Sequence, residues 1–179
     1  MQDDFKLLQI KTPVVQIPDE NNSIYVKRDD LLPFSFGGNK VRIALEFIND
    51  MKNQGKDCIV GYGNARSNLS RALANLCYQF KIPCHIISPA DEDGTRIDTC
   101  NSKMVLSCDA KFHYCKKTNV KETVEKVLKD LREEGLSPYY IYGDSTGKGN
   151  EHTPMLAYTK VYEEIKNQYD YIFLATGTG

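Results

Sequence analysis

Lys40 stands directly behind two glycines in the segment FSFGGNK, where the chain turns from an irregular stretch into a helical pattern. A lysine in the first turn of a helix opposes the helix macrodipole. Desolvation there favours the neutral amine, the form that attacks a carbonyl carbon. Position alone leaves open a second reading, a solvent-facing lysine that happens to begin a helix. A second group of polar residues lies in GYGNARSN, where Ser67 and Asn68 open the next helical pattern. They either aim a hydroxyl and an amide into a cleft or, for Ser67, simply cap the helix. The tail Thr176-Gly177-Thr178-Gly179 offers small residues whose backbone N–H groups suit a phosphate, and it reads equally as a turn. The polar loop DSTGKGN completes the set worth inspecting. A Walker-type phosphate loop is excluded, because no G-x-x-x-x-G-K-[ST] spacing occurs.

Elements that would position these residues alternate between strand and helix. SIYVKRDD (23–30) alternates apolar and polar residues as a half-buried strand does. Helical spacing from Asn39 to Met51 ends at Gly55, the strand CIVGY (58–62) follows, and a helix is predicted from Asn68 to Phe80. The step repeats with strand 84–88, a helix from Thr95 to Ser107, strand KFHYC (111–115), and a helix from Val120 to Glu134 that stops at Gly135. Strand YYIYG (139–143), a helix from Pro154 to Asn167 and a last strand YIFLA (171–175) complete the chain. The order implies right-handed crossovers and an open parallel sheet with helices on both faces, an α/β architecture. In such sheets ligands bind beyond the carboxyl ends of the strands, where the four loops above would lie.

Composition narrows the class of function. The 179 residues carry 23 Lys plus Arg against 24 Asp plus Glu, so no global field draws in nucleic acid or an anionic membrane. No run approaches the roughly 20 apolar residues of a spanning helix and the start lacks a signal-peptide pattern, which makes the cytoplasm the expected location. Six scattered cysteines without a C-x-x-C spacing read as small buried hydrophobes rather than a disulfide framework. His113, between Cys108 and Cys115, has too few neighbours of ligand type for zinc, and no metal is expected.

Taken together, FGGNKVR early in the chain, Ser67-Asn68 opening the next helix and an apolar segment running into TGTG resemble the fold type II pyridoxal-phosphate enzymes. The branch most resembled is that of 1-aminocyclopropane-1-carboxylate deaminase and D-cysteine desulfhydrase, with KRDDL before the glycines and DSTGKGNEHTP before the long helix falling in the expected order. The resemblance implies pyridoxal 5'-phosphate as cofactor, with Lys40 forming the internal Schiff base and later serving as base for the α-proton. It implies that Asn68 hydrogen-bonds the phenolic oxygen, that Ser67 lies beside the substrate, and that Thr176, Gly177, Thr178 and Gly179 hold the phosphate. Leu69 stands where many relatives have Gln or His, and Ile43-Ala44 where a basic residue is more usual.

The same resemblance implies a division into residues 1–38 from a large domain, 39–142 as a small α/β domain inserted in it, and 143–179 as the start of the remaining large domain. The large domain would be truncated. The expected function is that of a lyase or deaminase on a small amino acid, releasing ammonia and a 2-oxo acid. Expected partners are a homodimer mate or a complementing C-terminal chain, with no nucleic acid and no membrane. A non-catalytic remnant that binds or oligomerises is the alternative, and an unrelated nucleotide binder ranks last because no G-x-G-x-x-G spacing exists.

Overall fold

The computed structural model describes residues 11–20, 23–90 and 97–174. Its centre is a four-stranded parallel sheet in the order β5-β4-β3-β6, formed by β3 (Cys58–Tyr62), β4 (Cys84–Pro89), β5 (Lys111–Cys115) and β6 (Pro138–Tyr140). β3 and β4 are buried on both faces and mostly apolar, which suits them to the centre, while β5 at the edge alternates toward solvent. The chain runs outward from β3 through β4 to β5, then returns to the far side of β3 as β6. Right-handed crossovers require the helix of the return to lie on the opposite face from those of the outward run. Accordingly α1 (Asn39–Asn53), α2 (Asn68–Phe80) and α3 (Cys100–Ser107) share one core with Ile59, Ile86 and Ile141, and α4 (Val120–Glu133) packs its Val124, Val127, Leu128 and Leu131 on Val60, Ile87 and Tyr140. The open parallel sheet with helices on both faces is therefore the observed architecture.

Outside this layered body, β1 (Val14–Ile17) and β2 (Ile24–Lys27) form an antiparallel pair, and α5 (Thr153–Ile165) lies along α1. Arg42 of α1 ties the three together. Its guanidinium makes two bonds to Asp29, each 2.9 Å, and a third of 2.9 Å to Glu164 of α5. Thr12 donates to Asp29 at 2.6 Å, and Lys27 pairs with Glu164. Burial pushes the Asp29 carboxyl up, but the hydrogen bonds from Arg42 and Thr12 outweigh it and hold the group below the usual carboxylate range.

Five predicted elements differ from the structure; the strand expected at 139–143 is β6 only over Pro138–Tyr140, and Ile141 and Tyr142 already turn away. Residues 23–30 hold a strand only at Ile24–Lys27, and it is exposed rather than half-buried, because Asp29–Leu31 turns into a short 3-10 helix to meet Arg42. The third helix starts at Cys100, since Thr99 caps it with a reciprocal Thr99–Ser102 capping box; Thr95 and Arg96 lie outside the described residues. α5 ends at Ile165, and Asn167 turns left-handed at φ +60°. Finally, Tyr171 to Leu174 form no strand, pair with neither edge of the parallel sheet and stay exposed; Ala175 lies outside the described residues. Among the described residues no helix is long and apolar enough to cross a membrane.

Candidate active site

The reversal of strand order places a crevice beyond the carboxyl ends of β3 and β6. This is the position where ligands bind in open α/β sheets. α1 and α2 each lead into the amino end of a strand, so both begin at this carboxyl edge.

Lys40 is the second residue of α1 and is half-buried. The chain reaches it through five consecutive left-handed residues, Phe34 (φ +79°), Ser35 (+48°), Phe36 (+62°), Gly37 (+68°) and Gly38 (+87°). Each non-glycine residue among them costs about 1–2 kcal/mol relative to right-handed backbone. Glycine is required at 37 on two counts, because a Cβ there would also lie 2.4 Å from the Asp30 carbonyl oxygen. Backbone bonds from Gly37 to Phe34 and from Gly38 to Asp29 hold the turn closed. Strain of this kind, concentrated next to a lysine at the mouth of a crevice, is typical of sites where position matters more than stability.

Ser67 caps α2, its hydroxyl oxygen accepting from the Ser70 backbone N–H at 3.1 Å, so the cap reading holds while the O–H remains able to donate. Gly63 sits so close beneath that a Cβ would lie 2.5 Å from Ser67 Oγ and 2.6 Å from Ser70 Oγ. Asn68, the first residue of α2, is exposed on the rim and accepts at Oδ1 from Asn101 of α3 at 3.0 Å. Leu69 packs against the core shared by α1 and α2. The loops of Lys40 and Ser67 are joined by Arg71 of α2, whose guanidinium stacks on the Phe36 ring at 5.3 Å. Thr176, Gly177, Thr178 and Gly179 lie outside the described residues.

Three buried polar atoms have no partner among the described residues: Ser35 Oγ, Ser70 Oγ and Arg71 Nε. Ser35 belongs to the glycine turn, and Ser70 and Arg71 to the first turn of α2. Hydroxyls, amides, a guanidinium and a lysine amine form a donor set suited to an anion that bears a carbonyl carbon. The DSTGKGN loop is different. Asp144 accepts from the backbone N–H groups of Thr146 and Lys148 and from the Thr146 hydroxyl, so its donors are used internally.

Several participants are not apparent from sequence spacing. Thr99 and Asn101 of α3 bond the backbone carbonyls of Ala65 and Arg66 in the loop before Ser67. Tyr62, Tyr140 and Tyr142 cluster at the crevice with ring centroids 5.8 Å apart, and burial pushes all three phenols up, keeping them protonated. On the α4 face, His85 Nδ1 meets His113 Nε2 at 2.9 Å, away from the crevice loops. Burial, and then the neighbouring His113, lower the His85 pKa to about 4. Among the described residues no group of three or more His, Cys, Asp or Glu is placed to hold a metal.

A strained glycine turn ahead of a lysine, facing a helix start at the switch point of a parallel sheet, defines a class of cofactor-dependent α/β enzymes. The chain belongs to the pyridoxal-phosphate dependent enzyme family, whose model matches residues 5–179. The family's cofactor is pyridoxal phosphate, and the donors described above fit it. A putative 1-aminocyclopropane-1-carboxylate deaminase of Pyrococcus horikoshii is 24% identical over 97% of this chain and 54% of its own length. D-cysteine desulfhydrase of Serratia proteamaculans is 29% identical over 81% of this chain and 44% of its own length. The crystal structure of an ACC deaminase homologue superposes with a TM-score of 0.67 at 22% identity, covering 96% of this chain and 55% of that one, and shows the same fold type II architecture. The chain thus spans about half the length of the curated relatives it matches.

Proposed function

We propose that this chain carries the lysine-bearing half of the active site of a pyridoxal-phosphate-dependent lyase or deaminase that acts on a small amino acid of the D-cysteine or 1-aminocyclopropane-1-carboxylate type and releases ammonia and a 2-oxo acid. The supporting observation is the left-handed run that delivers Lys40 to the carboxyl edge of the sheet beside the start of α2. When bound, the cofactor supplies an electron sink for the charge left as a substrate bond breaks. Lys40 would hold the cofactor through its amine and, once displaced by the substrate amine, accept the proton removed from the substrate. The Asn68 amide would donate to the phenolic oxygen, Ser67 would donate its hydroxyl toward the substrate carboxylate or the moving proton, and Thr176, Gly177, Thr178 and Gly179 would hold the phosphate. In this reading residues 39–142 form the small domain, and residues 1–38 and 143–179 belong to the large one.

A second feature bears on completeness. Tyr171, Ile172, Phe173 and Leu174 are exposed, Phe173 by 94%. An apolar run of this kind fits a surface that a further polypeptide covers, either a complementing C-terminal chain or a second copy. Treatment of the protein with pyridoxal phosphate and borohydride, followed by peptide mapping, tests the site directly. An adduct on Lys40 is expected, lost in Lys40→Ala; an adduct elsewhere, or none, overturns the cofactor-site assignment for this chain. Assays with D-cysteine and 1-aminocyclopropane-1-carboxylate for keto acid and ammonia then test the reaction. Turnover that survives Lys40→Ala would assign the chemistry to another residue, and an adduct without turnover would favour a binding role.

A further inference from the structure

Asn101 lies near the start of α3, and its side chain reaches the loop that ends in Ser67 and Asn68. Its Nδ2 donates to the Arg66 carbonyl oxygen at 2.8 Å and to Asn68 Oδ1 at 3.0 Å. A backbone carbonyl can only accept, so the Asn101 atom beside Arg66 must be its NH2 group. That group has two hydrogens, and the second faces Asn68. The Asn68 atom opposite must therefore be the carbonyl oxygen, which turns its own NH2 away from α3. Among the described residues no other hydrogen bond holds the Asn68 side chain. Thr99 strengthens the same attachment, donating to the Ala65 carbonyl while its oxygen accepts from Ser102 N–H in the cap of α3. The start of α3 thus grips Ala65, Arg66 and Asn68 of one short segment.

We infer that Asn101 is a positioning residue that fixes the orientation of the Asn68 amide, so that Asn68 presents a hydrogen-bond donor to the phenolic oxygen of bound pyridoxal phosphate. The inference rests on the cofactor assignment proposed above. An amide rotated by half a turn would present its carbonyl oxygen to an anionic acceptor and repel it. A donated hydrogen bond favours the anionic phenolic oxygen, so it lowers the pH at which the bound cofactor's visible band titrates.

The test compares the wild-type chain with Asn101→Ala, Asn101→Asp and Thr99→Val, each titrated with pyridoxal phosphate and then with pH while the visible band is followed. Asn101 is at the solvent edge of a helix start, so truncating it removes no core atoms. In Asn101→Ala the cofactor affinity should fall about tenfold, within the range for losing a hydrogen bond to a charged group, and the midpoint should rise by about half a pH unit. Asn101→Asp can only accept, so it turns Asn68 over and should cost more, about a hundredfold. Thr99→Val loosens the loop's attachment without touching Asn68 and should leave the midpoint unchanged. Wild-type titration in Asn101→Asp, or a midpoint shift in Thr99→Val equal to that of Asn101→Ala, overturns the positioning role while a borohydride adduct on Lys40 keeps the cofactor assignment standing. Absence of that adduct in the wild-type chain overturns the cofactor assignment and this inference together.

Discussion

The crevice at the carboxyl edge of the parallel sheet and the outer layer of β1, β2, α5 and residues 171–174 are built on opposite principles. At the crevice, the helices stand on a covered apolar core, with Phe36 the main exposed apolar side chain, and the polar atoms left without partners are few and confined to the glycine turn and the first turn of α2. In the outer layer the polar groups of Arg42, Asp29, Glu164 and Lys27 are paired, while Val15, Ile17, Ile24, Tyr25 and residues 171–174 are exposed. Unpaired donors suit a small polar ligand, whereas uncovered apolar side chains suit a protein surface. The two regions therefore lack partners of different chemistry.

Arg42→Ala should break the contrast most severely. It takes from Asp29 its charged partner and leaves Glu164 only Lys27, and should cost about 2–3 kcal/mol in urea unfolding, with the outer layer loosened first. A loss below about 1 kcal/mol would mean that packing of α5 on α1, not the ion network, holds the layer. Acid tests the sheet that both regions share. His85 is buried neutral with its pKa lowered from 6.5 to about 4, so the unfolded chain takes up a proton first as pH falls. Stability should be full above pH 6.5, decline between 6.5 and about 4, and then level off for this group; the loss is about 2 kcal/mol once screening at the half-buried His113 is allowed for. His85→Gln should flatten that part of the pH profile, and an unchanged slope would assign it to His113, whose pKa burial also lowers, or to the carboxylates.

Ser67→Ala probes the crevice side. Loss of the cap should cost about 1 kcal/mol by thermal or urea unfolding. Any effect on keto-acid formation beyond that change in folded fraction would point to the hydroxyl's donation toward substrate. The smallest stability effect is expected at Phe173→Ser, within about 0.5 kcal/mol, because that side chain is 94% exposed. Its readout is association: sedimentation velocity should show less self-association than in the wild-type chain, and no change would remove residues 171–174 from the proposed contact surface.

Local pattern was sufficient where an element is bounded by its own chemistry. Cys58–Tyr62, Asn68–Phe80 and Lys111–Cys115 lie where apolar periodicity and the flanking polar or glycine residues place them. It failed for Tyr171 to Leu174, since an apolar run becomes a strand only when it pairs with another, and these residues pair with neither edge of the sheet. β2 falls within the strand expected at 23–30, but its pairing with β1 and its exposure were not legible, for a related reason. Alternation reports a two-faced strand, but not whether anything covers the apolar face.

For the site, residue type and spacing by themselves determined that Lys40 follows a glycine turn and that Ser67-Asn68 open a helix, because both depend on backbone preferences a few residues long. The α/β class, and with it the carboxyl edge as the place to look, came from the same local periodicities. Only the tertiary structure decided that the strand order reverses between β3 and β6, that Arg71 closes on Phe36, and that Asn101 hydrogen-bonds Asn68 from 33 residues away. Those contacts arise from how the crossovers stack α2 and α3 on one face of the sheet, a property of the folded chain that no short window of sequence contains.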